Sequence, residues 1–171
     1  MDEVPEVISR VFVHVLGAVR YEADQPGADY WQTPQETFRR GAGDCEDFAL
    51  AWWWTARQWG VGRELRDVVG EARLGWLLDD VGERSHMVCL LGTFAEGGDP
   101  WVLDCLADVP HRLSERADGL HVAMTLGLDD VGRPAAWMGL GPKRTKAPPS
   151  KLADVLRRTG MTFNETGLAN A

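Results

Sequence analysis

The spacing of apolar residues changes once along this chain, and that change limits the fold more than any other feature. Before Gly60 the apolar positions recur every three or four residues; after Gly62 they follow strand-like patterns. Val4, Ile8, Val11, Val15 and Val19 share one face of a helix predicted over Pro5–Arg20, and Pro5 suits its first turn. Residues Tyr21–Tyr30 read as a loop. Thr33-Pro34-Gln35-Glu36 is a capping box with Pro at the first helical position. It predicts a short helix to about Arg40, stopped by Gly41-Ala42-Gly43. A central helix is expected from Asp44 through Trp52-Trp53-Trp54 to Gly60. Ala49, Trp52, Trp53 and Ala56 give it a broad apolar face, so the tryptophans read as core.

Beyond Gly62, Leu65–Glu71 reads as a weak strand. Leu74–Gly82 is ambiguous, with a turn at Asp79-Asp80. Ser85–Phe94 is a strong strand, Ala95–Pro100 a hairpin loop, and Trp101–Leu106 the returning strand. His121–Leu128 and Ala135–Met138 are further strand candidates. Gly141–Ser150 reads as a linker, Lys151–Arg158 as a short helix, and the final residues as a tail. Helices followed by an antiparallel sheet describe an α+β domain. The expected organisation is one domain over residues 1–171: N-terminal helices over 1–42, a core over 43–140, then linker, helix and tail over 141–171.

At 171 residues the chain can bury a core without disulfides. Its 26 acidic residues against 18 basic ones argue against nucleic acid as a partner, because phosphate neutralisation needs clustered Lys and Arg. No run of about 18 apolar residues predicts a membrane span. Met1-Asp2-Glu3-Val4-Pro5 starts acidic, and Arg10 and His14 interrupt the apolar residues that follow, so no secretory signal is read. The expected location is cytoplasmic as written, or periplasmic if a leader has been removed. The 3 Cys cannot all pair within one chain, so at least one thiol is free or intermolecular.

Gly43-Asp44-Cys45-Glu46-Asp47 is the segment richest in chemistry. Cys45 falls at the start of the expected central helix, where free N–H groups and the helix dipole favour a thiolate. The flanking carboxylates oppose thiolate formation, so a base or a cation has to offset them. Locally, a nucleophile and a buried Cys in an acidic cap are equally good readings. A nucleophilic Cys needs a general base. Of the 4 His, His14 lies on the first helix, His111 in a loop and His121 at the start of a weak strand. His86 begins the strongest strand, which would fix its orientation. Asp104, at the end of an apolar strand, is the candidate acid to orient it. The two share a sheet face only if paired residue numbers sum to an even number. Cys89 and Cys105 should be buried bystanders, pointing away from His86 and Asp104 respectively if the strands stay regular. Zinc bound through paired cysteines finds no Cys-x-x-Cys spacing here.

Residues Trp31–Phe38 and Gly41–Ala49, with Ser85-His86-Met87-Val88 and Val102-Leu103-Asp104, resemble the bacterial transglutaminase-like cysteine proteinases, the LapG-like group. Gly-Asp-Cys-Glu-Asp is the most specific block, and Gly160–Asn164 is also similar. The resemblance implies a papain/transglutaminase-like fold, with the nucleophile at the N-terminus of a central helix packed on an antiparallel sheet. It implies Cys45 as nucleophile, His86 as general base and acid, and Asp104 as the orienting acid. In that group the substrates are proteins, notably surface adhesins cut in the periplasm, and the activity depends on calcium. The implied calcium ligands are Asp44, Glu46 and Asp47, a set of oxygen donors that suits Ca²⁺. A bound cation would also cancel their effect on the Cys45 thiol. An oxyanion hole needs two donors. The Cys45 backbone N–H is one candidate, with the Trp31 indole or the Gln32 amide as the second. The expected function is a cysteine endopeptidase acting on a protein or peptide through a thioester. Transglutaminase or amide-exchange activity, and a non-catalytic binding domain on the same fold, are the alternatives.

Overall fold

A computed structural model describes residues 3–25, 27, 29–59, 71–93, 98–126 and 149–159. Helix α1 spans Glu6–Ala18 and buries Ile8, Val11, Phe12 and Val15. It ends two residues before the predicted boundary. Arg20–Tyr21 form a short strand, β1, parallel to β2 at Ala42–Gly43, where a loop was expected. Helix α2, Pro34–Arg40, has the full capping box: Glu36 N–H donates to Thr33 Oγ1 and Thr33 N–H to Glu36 Oε2. Gly41 closes it at φ 66°, the left-handed conformation that favours glycine.

Helix α3, Cys45–Trp59, is the buried centre, as the sequence predicts. Trp52 stacks on Phe12 at 5.3 Å and donates its indole N–H to the Phe12 carbonyl, which ties α3 to α1. Trp53 donates to the Ala72 carbonyl, which ties the helix to the sheet. Both tryptophans are therefore core residues whose polar atoms are satisfied.

Five strands among the described residues form one sheet. They are β3 (Glu71–Leu78), β4 (Ser85–Gly92), β5 (Trp101–Leu103), β6 (His111–Arg112) and β7 (His121–Leu126), in the order β6-β5-β4-β3-β7, all pairs antiparallel. The ambiguous segment after Leu74 is thus part of a central strand. Leu74 faces α3 while Leu77 packs on the other side with Val88, Leu90 and Val102. Burial on both faces removes the alternation that identifies a strand in sequence. The turn expected at Asp79-Asp80 is present: the Asp79 carboxylate accepts the N–H groups of Glu83 and Arg84. Helix α4, Pro149–Arg158, follows. The expected strand at Ala135–Met138, most of the strand at Leu65–Glu71, most of the linker and the tail lie outside the described residues. No helix among the described residues is long and apolar enough to cross a membrane.

Candidate functional site

Gly43 and Asp47 set the entrance to α3. A Cβ on Gly43 would meet the Asp47 Cβ at 2.5 Å and its Oδ2 at 2.6 Å, so only glycine fits beneath that carboxylate. Asp47 is fully buried. Its Oδ1 accepts the Gln32 backbone N–H at 2.8 Å, and its Oδ2 accepts the Gln32 side-chain amide and, at 3.4 Å, the Asp44 N–H. The Gln32 amide also donates to the Ala42 carbonyl at 3.2 Å. This knot joins the segment before α2 to the first turn of α3, and it fixes where Cys45 sits. It also redirects two sequence expectations. The Gln32 amide and backbone N–H are both engaged, so they offer no open oxyanion donor. The Asp47 oxygens are taken by N–H groups instead of lying open to a cation.

Cys45 is half-buried at the N-terminus of α3. Its thiol lies 2.9 Å from Glu46 Oε2, and Met87, next along β4 from His86, belongs to the core cluster that Cys45 packs against. Burial, together with the Glu46 and Asp44 charges, pushes the thiol well above its ordinary range; the Met87 N–H pulls the other way. Asp44 contacts Glu46. Its carboxyl is pushed up to about 8 by burial and by the Glu46 and Asp47 charges. Asp47 is raised to about 6 by burial, against the Gln32 N–H groups that favour its ionised form.

The register of β4 and β5 pairs Cys89 with Leu103, so partner numbers sum to an even number and His86 and Asp104 share a face as diagonal neighbours. His86 Nε2 lies 2.7 Å from Asp104 Oδ1, both side chains buried. Oδ1 also accepts the Leu106 N–H at 2.9 Å, and Oδ2 accepts Arg116 Nη1 at 2.8 Å. Burial alone would raise the Asp104 carboxyl; the His86 bond and charge, the Leu106 N–H and Arg116 outweigh it and hold the group ionised well below the usual carboxylate range. An ionised carboxylate only accepts, so Nε2 carries the hydrogen and Nδ1 is the ring nitrogen left for a second partner.

Strand β5 ends at Leu103, short of the predicted Leu106. The Asp104 side chain and carbonyl accept the N–H groups of Leu106 and Ala107, a local turn that stops the strand. The ladder on that edge of β4 therefore ends at Cys89. The same turn corrects the expectation for Cys105. Its thiol is half-buried and does not point away: the ligand atoms of His86, Asp104 and Cys105 all lie within 4.8 Å of one another. Among the described residues this is the one set of three His, Cys, Asp or Glu side chains so gathered. Cys89 is buried on the helix side of the sheet, as expected.

Three participants were invisible in the sequence. Arg116 reaches Asp104 from the segment after β6. Tyr21, opposite Gly43 in the short parallel pair, has its hydroxyl raised by burial and by the Cys45, Cys105, Asp44 and Glu46 charges. Lys151, on α4, lies over the Trp31 ring at 5.5 Å. Trp31 stacks on Trp76, the residue opposite Met87 in the sheet; its indole N–H is buried with no hydrogen-bond partner among the described residues.

No protein-family profile matches the chain, and no curated protein does. Solved structures do. Legionella pneumophila LapG is similar at 26% identity and TM-score 0.57, over 71% of this chain and 64% of that one. The EGTA-treated form gives the same identity and TM-score, over 71% of this chain and 62% of LapG. The calcium-bound form gives TM-score 0.65 at 23% identity, over 90% of this chain and 78% of that one. In the first two alignments the chain spans less than two thirds of LapG. The fold is LapG-like, of the papain/transglutaminase type, as the sequence resemblance implies.

Proposed function

We propose that this LapG-like chain is a cysteine endopeptidase whose nucleophile is Cys45, with His86 as general base and acid and Asp104 as the residue that orients His86. The observation that carries this reading is the polarity of the imidazole. Asp104 holds Nε2, which turns Nδ1 into the base, and the N–H of Met87, the next residue of β4, favours the Cys45 thiolate. The thiol gives its proton to Nδ1 and the sulfur attacks the scissile carbonyl. His86 then protonates the leaving amine, and water hydrolyses the thioester. The Cys45 backbone N–H and the unpaired Trp31 indole N–H are the proposed oxyanion donors. A buried donor without a partner is costly, and a developing oxyanion would satisfy it.

Calcium fits Asp44 and Glu46, neighbouring carboxyl groups where burial and the adjacent charge favour a proton on Asp44. A divalent cation would replace that proton and remove the negative charge that opposes thiolate formation. Asp47 would hold the first turn of α3 in place beneath them. A calcium-bound form of the similar LapG supports the same cation here.

The test is cleavage of a mixed protein substrate by the purified chain with Ca²⁺ or EGTA. Calcium-dependent cleavage abolished in Cys45→Ala is expected. Incorporation of a primary amine without net hydrolysis would instead favour amide exchange. No turnover under either condition, with an acyl-probe that fails to label Cys45, would leave a binding domain as the function.

A further inference from the structure

We propose that Cys105, His86 and Asp104 form a binding site for a thiophilic divalent cation of the Zn²⁺ type, and that occupancy of this site switches the enzyme off. The binding half stands on geometry alone; the inhibitory half rests on His86 being the general base.

The donor set is a thiol, an imidazole and a carboxylate, the combination that selects borderline-soft cations. The three ligand atoms already lie within 4.8 Å of one another, and ligand atoms around a tetrahedral zinc sit about 3–4 Å apart. Each is held by rigid backbone: His86 by the pairing of β4 with β3, where it lies opposite Leu77, and Asp104 and Cys105 by the turn that ends β5. Arg116 bonds Asp104 at Oδ2, which leaves Oδ1 facing His86 and fixes its direction, the usual role of an outer partner to a metal ligand. The Arg116 charge is itself balanced by Asp118. His86 and Asp104 are buried while Cys105 is only half-buried, so the thiol marks the side from which a cation arrives. Calcium is not the occupant, because hard cations take all-oxygen sites such as Asp44 with Glu46.

Binding releases one proton to solvent, from the Cys105 thiol, while the His86 hydrogen moves from Nε2 to Nδ1. The imidazole stays neutral as its other tautomer. Nδ1 then has no lone pair to accept the Cys45 proton, and catalysis stops.

The test titrates the calcium-free protein with Zn²⁺ alone by calorimetry and with Co²⁺ by absorption. The expected result is one equivalent of Zn²⁺ and a thiolate-to-cobalt charge-transfer band. Both Cys105→Ser and Cys105→Ala should bind Zn²⁺ ~10-fold more weakly or worse and lose the band, while Cys45→Ala keeps both. Circular dichroism establishes that each variant is folded. Unchanged binding in the Cys105 variants, or loss only in Cys45→Ala, would overturn the site. In the same samples, Zn²⁺ should slow iodoacetamide labelling of Cys45 in the native chain and not in Cys105→Ser. Zinc bound through Cys105 with Cys45 labelling undiminished would overturn the inhibitory half. Neither readout needs peptidase turnover, so a failure of the proposed peptidase activity is seen separately.

Discussion

Asp104 holds His86 through Nε2 at 2.7 Å while Arg116 holds the other carboxylate oxygen of Asp104 at 2.8 Å. The imidazole is thus the end of a buried line of polar groups that starts at the Arg116 side chain. Removing Asp104 leaves His86 without its acceptor and Arg116 with Asp118 alone, and breaking a buried pair is expensive.

Asp104→Ala should therefore lose about 3 kcal/mol of stability, the cost of breaking a buried pair, and should also slow labelling of Cys45. Asp104→Asn keeps the shape and loses the charge, so it should be the less destabilised variant yet still label slowly. Urea denaturation and alkylation rates followed by mass spectrometry separate the two effects. Fast labelling of Cys45 in Asp104→Asn would count against the orienting role.

The acid side of the stability curve follows from the same group. The folded-state Asp104 carboxyl is depressed. Its stabilisation is complete above the unfolded value of about 3.9 and is lost as pH falls below that through the folded value. The gap in melting temperature between the native chain and Asp104→Asn should be flat from pH 5 to 7 (about one unit or more above 3.9) and close as pH falls below about 4. A gap that instead closed on the alkaline side would reverse the assigned sign.

Asp44 has the opposite sign. Its folded carboxyl is raised to about 8, against about 3.9 unfolded, so the folded chain binds the extra proton and stability declines as pH climbs through that window. Asp44→Asn should raise the melting temperature of the calcium-free protein at pH 8 (about the raised folded value). Calcium should release protons on binding, flatten the pH slope and speed Cys45 alkylation in the native chain. Asp44→Asn or Glu46→Gln should lose that calcium response. A calcium response unchanged in both variants would sink the proposed ligand pair.

Gly43→Ala is the packing test. The added methyl meets Asp47 at 2.5 Å, so either Asp47 leaves Gln32 or β2 shifts. A cost of ~1–3 kcal/mol is expected from overpacking, together with slower Cys45 labelling, since the start of α3 moves with Asp47. The neighbouring Gly41→Ala, which strains a left-handed φ of 66° but touches no site group, should destabilise with less effect on labelling.

Much of this arrangement was legible in the chain. The capping box, Gly41, and the apolar faces of α1 and α3 are local signals with local causes, and each predicted its element. The even parity of His86 and Asp104 gave the right face once a register was granted. Other features were not legible. Leu74–Leu78 lost its alternation because both sides are buried. Cys105 was assigned by regular alternation to the wrong neighbourhood, because the Asp104 side chain ends the strand on itself. Gln32 looked like an oxyanion donor because its buried acceptor, Asp47, lies 15 residues away on another element.

The sequence by itself determined the helices, the strong strand that begins at Ser85 and that Cys45 opens the central helix, because periodicity, capping and glycine stops act over a few residues. Only the tertiary structure decided which partners each polar group receives. Arg116 on Asp104, Gln32 under Asp47 and Cys105 beside His86 are pairings across elements. Their energy comes from satisfying buried polar groups, and no spacing along the chain encodes which groups become buried together.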